Sequence, residues 1–187
     1  ADGATVLGDF DDAEFEHWGV LTRFTRRTGR FFVFTEGPDG RYGEFEVKYT
    51  FGVTPLQQYL VDLKGGRLQA LTIAWDVNAK RWFALHDEAL KPGDPLHWTG
   101  LAYNWNHMCA ECHSTDLRKG YDAASGIFRT TSFEINVGCQ GCHGPGARHV
   151  EWARRVEATS EHYAVDDPKG LEVRLKGPDD EDLGVLP

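Results

Sequence analysis

Residues 30–51, RFFVFTEGPDGRYGEFEVKYTF, hold two runs of aromatic and branched side chains, Arg30 to Thr35 and Gly43 to Phe51, around the breaker Gly37-Pro38-Asp39-Gly40. Partial alternation of apolar and polar residues on both sides of such a breaker predicts paired antiparallel strands. Working outward, Gln57 to Asp62, Arg67 to Asp76 and Arg81 to His86 repeat the pattern, and Gly19 to Phe24 repeats it more weakly. Lys64-Gly65-Gly66 and Asn78-Ala79-Lys80 supply turns between them. The expectation is an antiparallel meander over residues 1–90, with one face packed and the other wetted.

From about Leu90 the periodicity disappears, and Lys91-Pro92-Gly93-Asp94-Pro95 marks a boundary. Residues 91–160 are expected to carry only brief helical turns, at Asn104 to His113, Gly138 to His143 and His149 to Val156. Residues 161–187 hold eight acidic and three basic side chains and read as an acidic extended tail. The expected class is therefore α+β, an antiparallel β-rich N-terminal half followed by an irregular, partly helical segment.

All four cysteines fall in two copies of one motif, Cys109-Ala110-Glu111-Cys112-His113 and Cys139-Gln140-Gly141-Cys142-His143. Two thiols three positions apart on a helical turn can add to the two vinyl groups of one porphyrin. The histidine that follows then lies beneath the iron. The pattern predicts two covalent c-type haems on Cys109, Cys112, Cys139 and Cys142, with His113 and His143 as proximal iron ligands. A four-thiolate zinc site across the 26 residues between Cys112 and Cys139 gives no reason for a histidine after each pair. Disulfides between cysteines three apart close loops too small to add much stability, and a redox Cys-x-x-Cys would want a βαβ setting.

The opposite face of each iron decides between electron transfer and catalysis. His149 follows His143 by six residues, too short a loop to pass round its own porphyrin, so it is expected to serve the other haem. His97, in the loop before the first motif, and His107, just ahead of Cys109, are further distal candidates. His17 and His86 lie in or near β-structure, His162 lies in the acidic tail, and Met108 adjoins Cys109 and is read as packing against a porphyrin. Arg118, Lys119, Arg148, Arg154 and Arg155 flank the motifs and suit haem propionates.

Composition narrows the function classes. With 41% hydrophobic residues, including six Trp and eleven Phe, the chain can bury a core. Its formal charge of −9 argues against nucleic acid as a partner and for a redox partner with a basic patch. No apolar run reaches the ~20 residues of a membrane span. Ala1-Asp2-Gly3-Ala4 lacks the character of an export signal, so the chain is expected to be processed or a piece of a longer protein. Haem attachment of this kind implies a periplasmic or extracellular location.

The strings YTFGVTPLQQYLV, GGRLQAL, DPLHWTG, NWNHMCAECHSTDL and INVGCQGCHGPGARHVEWA, between Tyr49 and Ala153, resemble the multihaem c-type cytochromes often fused to tetratricopeptide repeats. The stretch from Asp9 to Gly40 looks similar too. The resemblance implies an exported electron carrier with mostly bis-histidine haems, and it implies His149, in the GPGxxH string, as a distal ligand. Members of that family usually carry further haem motifs, before the region of Ala1 and after the end of this chain; none is present here. The expectation is electron transfer by a dihaem cytochrome. The alternatives are a haem enzyme or gas sensor with one open axial position, in which Tyr103, Tyr121, His107 or Arg148 donates protons, or a subunit of a multihaem assembly.

Overall fold

The computed structural model describes residues 1–159, 167–171 and 178–179. They form two compact units: residues 1–111 with 119–131, and residues 112–118 with 132–187. The division falls elsewhere than at Leu90.

The first unit is an antiparallel meander. Strands β1 (Asp11–His17), β2 (Val20–Arg27), β3 (Arg30–Glu36), β4 (Tyr42–Phe51), β5 (Leu56–Leu63), β6 (Arg67–Ala70), β7 (Ile73–Asp76) and β8 (Arg81–Ala84) make one sheet in the order β1-β2-β3-β4-β5-β7-β8, with β6 also on β5. The sheet curls until its ends meet. Trp82 Nε1 of β8 donates to the Asp9 carbonyl at 3.2 Å, and His17 Nε2 lies 2.8 Å from the His86 carbonyl.

Sequence and structure differ in detail. Strand β1 was not expected, because its DDAEFEH run is mostly acidic and exposed. The run from Arg67 to Asp76 is not one strand: Leu60 pairs with Ala70 but Gln57 with Trp75, so two extra residues form a bulge. At that bulge Leu71 donates its N–H to the Tyr59 carbonyl at 3.0 Å and turns its side chain into the core.

Aromatic side chains fill the inside of the curl. The Phe24 ring stacks on Trp82 with centroids 3.6 Å apart, and Phe10 sets its edge against Phe24, Phe31, Tyr59 and Trp82. Burial pushes the Tyr59 phenol well above its ordinary range; its hydroxyl accepts the Gly8 N–H and donates to Gln57. On the outer face Phe32 lies under the Arg27 guanidinium, 3.8 Å from the ring centroid, which explains why β3 buries three residues in a row. Around it runs a ladder of cross-strand ion pairs, Glu14 with Arg23, Asp11 with Arg26, Glu44 with Arg27 and Glu46 with Arg30, and Glu46 also pairs with Lys48 on its own strand.

The chain beyond Leu90 continues to pack on this unit through buried amides. Gln69 of β6 donates to the carbonyls of Trp98 and Gly100 at 2.7 and 2.9 Å, and Asn104 donates to the Gln69 side-chain oxygen at 2.9 Å. Asn106 accepts the Leu68 N–H at 2.8 Å and donates to Thr130 at 2.9 Å. A two-strand hairpin, β9 (Tyr121–Asp122) and β10 (Ile127–Phe128), closes against Gly66, where φ is +72° and an added Cβ would stand 2.4 Å from the Phe128 carbonyl oxygen, leaving no room for a side chain.

The second unit has a different make-up. It contains α2 (Gln140–His143) and α3 (Ala147–Thr159), and α1 (Ala110–His113) runs across the division of the chain. Of its described residues only Ser114 and Thr115 are buried, and neither is apolar. The expected acidic tail lies largely outside the described residues. No helix among those described is long and apolar enough to cross a membrane.

Candidate functional site

Both Cys-x-x-Cys-His motifs sit on single helical turns, as their spacing demands. In the second, the N–H groups of Cys142 and His143 donate to the Cys139 carbonyl at 3.3 and 2.9 Å, so Cys139 and Cys142 share one face, with His143 one position further round. In the first, a π-type turn at Trp105–Cys109 leads into α1, and the Asn104 side chain caps it by accepting the His107 N–H at 3.0 Å. No disulfide joins the four cysteines; Cys112, Cys139 and Cys142 are exposed and Cys109 is half-buried. No three His, Cys, Asp or Glu side chains converge as a metal site among the described residues, so the thiols are not gathered as a zinc site requires.

Thr115 ties the end of the first motif to the start of the second. Its N–H donates to the Glu134 carbonyl at 3.0 Å and its carbonyl accepts the Phe133 N–H at 2.9 Å. Its hydroxyl donates to the Asn136 carbonyl at 2.8 Å and accepts the Gly138 N–H at 2.7 Å. Thr115 is two residues past His113, and Gly138 immediately precedes Cys139. Chain geometry then keeps the Cα atoms of His113 and Cys139 within roughly 18 Å.

His149 lies on the half-buried stripe of α3, with Trp152, Ala153 and Val156 at helical spacing. Its ring stacks on Trp152. Its Nδ1 lies 2.7 Å from the Lys169 carbonyl, which can only accept, so Nδ1 carries the proton and Nε2 keeps its lone pair. That is the tautomer of a metal-ligating histidine. The Asp167–Leu171 turn that supplies the carbonyl is fixed by Trp152 Nε1 on Asp167 at 3.1 Å and by Gly170, at φ +71°, against the Arg148 carbonyl.

His97 is the converse. It is 6% exposed, and its Nδ1 accepts the Thr99 N–H at 3.3 Å beside the Thr99 hydroxyl at 2.8 Å. Its proton is therefore on Nε2, making that atom a donor and unsuited to ligate iron; the expectation of a distal role for His97 does not fit this arrangement. Burial holds its imidazole neutral by lowering its pKa, against the opposing carboxylates of Glu36 and Asp94. His107 packs on Phe128 and Tyr121 with centroids 5.3 and 5.6 Å away. His86 Nε2 is bonded to the Tyr103 hydroxyl, which takes Tyr103 out of consideration as a free proton donor. Lys119 pairs with Glu111 at 2.8 Å. His162 lies outside the described residues.

The surroundings suit an apolar prosthetic group. In the second unit Phe133, Ile135 and Val137, alternate residues of the bent segment before the second motif, are 74%, 46% and 55% exposed. Nδ1 of His143 is buried with no hydrogen-bond partner among the described residues, an arrangement that costs free energy in the bare chain. Three exposed thiols, uncovered apolar side chains and the lack of buried apolar residues among those described in the second unit together fit haem. Comparison with family models, with curated proteins and with solved structures returned no match. The reading of the site rests on its own residues. Sequence reasoning missed Thr115, Asn104, Asn106 and Lys169, because their partners lie 20 to 40 residues away or are backbone atoms without sequence identity.

Proposed function

We propose that the chain is a c-type cytochrome that carries electrons on two covalently held haems. The observation that carries the reading is a unit that bears three of the four motif thiols, Cys112, Cys139 and Cys142, with no buried apolar side chain of its own among the described residues. Cys109 and Cys112 would tether one haem and Cys139 and Cys142 the other, with His113 and His143 as proximal ligands. Bound haem supplies reversible one-electron chemistry at iron.

The protein's part is positional. Thr115 fixes how far apart the two motifs lie, and the Lys169 carbonyl holds His149 in the tautomer that offers Nε2 as a distal ligand. Phe133, Ile135 and Val137 would cover porphyrin edges and exclude water. An exported location and a redox partner with a basic docking patch follow from this reading together with the charge of −9, and the resemblance to multihaem cytochromes supports it. Haem quantitation with low-temperature electron paramagnetic resonance tests it. Two haems per chain and low-spin ferric signals are expected, with one signal turning high-spin in His149→Ala. A chain that takes up no haem when expressed with a haem-attachment apparatus overturns the proposal.

A further inference from the structure

The first unit contains a cavity of about 620 Å³ at one end of the curled sheet, between the β1–β2 turn, the β3–β4 turn and the chain after β8. Mouths of curled β-sheets are common ligand sites, and the interior beneath this one is filled by the aromatic core. Trp18 stands at its rim, 62% exposed and at φ +51°. A bulky residue in the left-handed region is costly, and here burial does not offset the cost.

The polar groups inside are incompletely used. His17 and His86 spend their Nε2 atoms on the His86 carbonyl and the Tyr103 hydroxyl. His97, more than nine-tenths buried, lines the cavity, and its hydrogen bonds among the described residues are made by Nδ1 rather than Nε2. The nearest carboxylate oxygen, Glu36 Oε2, is 3.9 Å away, too far for a bond. Glu36 is held by Trp98, whose Nε1 donates to its carbonyl at 2.9 Å. Glu36, Asp39 and Glu88 face one lysine, Lys91, so the lining carries a net negative charge.

We propose that this cavity binds a small hydroxyl-bearing organic ammonium ion. The cation lies beside the Glu36 carboxylate and under the Trp18 indole, and its hydroxyl accepts from His97 Nε2–H. Glu36 Oε2 and His97 Nε2 stand 3.9 Å apart, close enough for one small ligand to reach both, and indole is the best aromatic face for a cation. The negative lining rejects carboxylates and phosphates of the same size.

Calorimetric titration of the purified full chain with choline tests the proposal, with 3,3-dimethylbutan-1-ol as the uncharged analogue and tetramethylammonium as the cation lacking the hydroxyl. Choline is expected to bind about tenfold more tightly than either. Glu36→Gln should weaken choline about tenfold while leaving the uncharged alcohol unchanged, and Trp18→Ala, at an exposed position, should weaken choline roughly 3- to 30-fold. Equal binding of choline and the alcohol, or no heat with choline at tens of millimolar, overturns the assignment. Haem content has no part in this readout.

Discussion

The two units of this chain are stabilised in opposite ways. Among the described residues, all 18 buried hydrophobic side chains belong to the first, where Phe10, Phe24, Tyr59, Trp75 and Trp82 pack ring to ring. The second leaves Phe133, Ile135 and Val137 in water and buries only Ser114 and Thr115 among its described residues. A segment that buries no apolar surface cannot offset the entropy of ordering its backbone, about 1–2 kcal/mol per residue. On the proposed reading, haem supplies the second unit with the apolar contact that its described residues lack, and the first unit has no such need.

Removing that group is the strongest test of the contrast. A chain with Cys109→Ser, Cys112→Ser, Cys139→Ser and Cys142→Ser should lose amide-exchange protection throughout residues 132–159 while β2 to β5 keep theirs. Protection that survives in 132–159 would break the comparison. Next in size, Phe24→Ala should destabilise the first unit by about 3–5 kcal/mol in denaturant melts, because Phe24 is fully buried against Trp82. The haem spectrum should be unchanged below the transition.

Thr115→Val sharpens the contrast from the other side. It removes the hydroxyl that joins Asn136 and Gly138, at a cost of about 1 kcal/mol. On the proposed dihaem reading it should also alter the separation between the two haem potentials in a redox titration, an effect that loss of stability alone would not produce.

Two pH effects are smaller and belong to the first unit. His97 has a lowered pKa in the folded state, so the unfolded chain takes up its proton more readily. The stability tied to its neutrality is present above about 6.5 and is lost as pH falls below it. His97→Gln should remove that dependence from denaturant melts. Glu46 is drawn down to about 2, chiefly by its hydrogen bond to Arg30 and then by Lys48. Its contribution is present above 4.5 and disappears as pH falls towards 2, so acid titration of Glu46→Gln should show a slightly flatter loss.

The first unit was the more legible. The runs at 30–35 and 43–51 and their GPDG breaker are seen as β3, β4 and the turn between them, because period-two alternation is a local property. The strand at Asp11–His17 was not legible: its register comes from pairing with β2 rather than from its own residues. Nor was the attachment of residues 91–111 to the β unit, which depends on Gln69, Asn104 and Asn106, polar residues whose loop-like identity conceals a buried role.

By itself the sequence determined what short-range geometry can specify: alternating strands, and two thiols and a histidine on each single helical turn. It could rank the histidines only by their distance along the chain and by the local setting their neighbours predict. The tertiary structure alone distinguishes His149, whose Nδ1 meets a carbonyl 20 residues on, from His97, buried opposite Glu36 with its proton on Nε2. The tautomer of an imidazole is set by whichever donor or acceptor the fold brings to its other nitrogen, and that partner has no fixed place in the sequence.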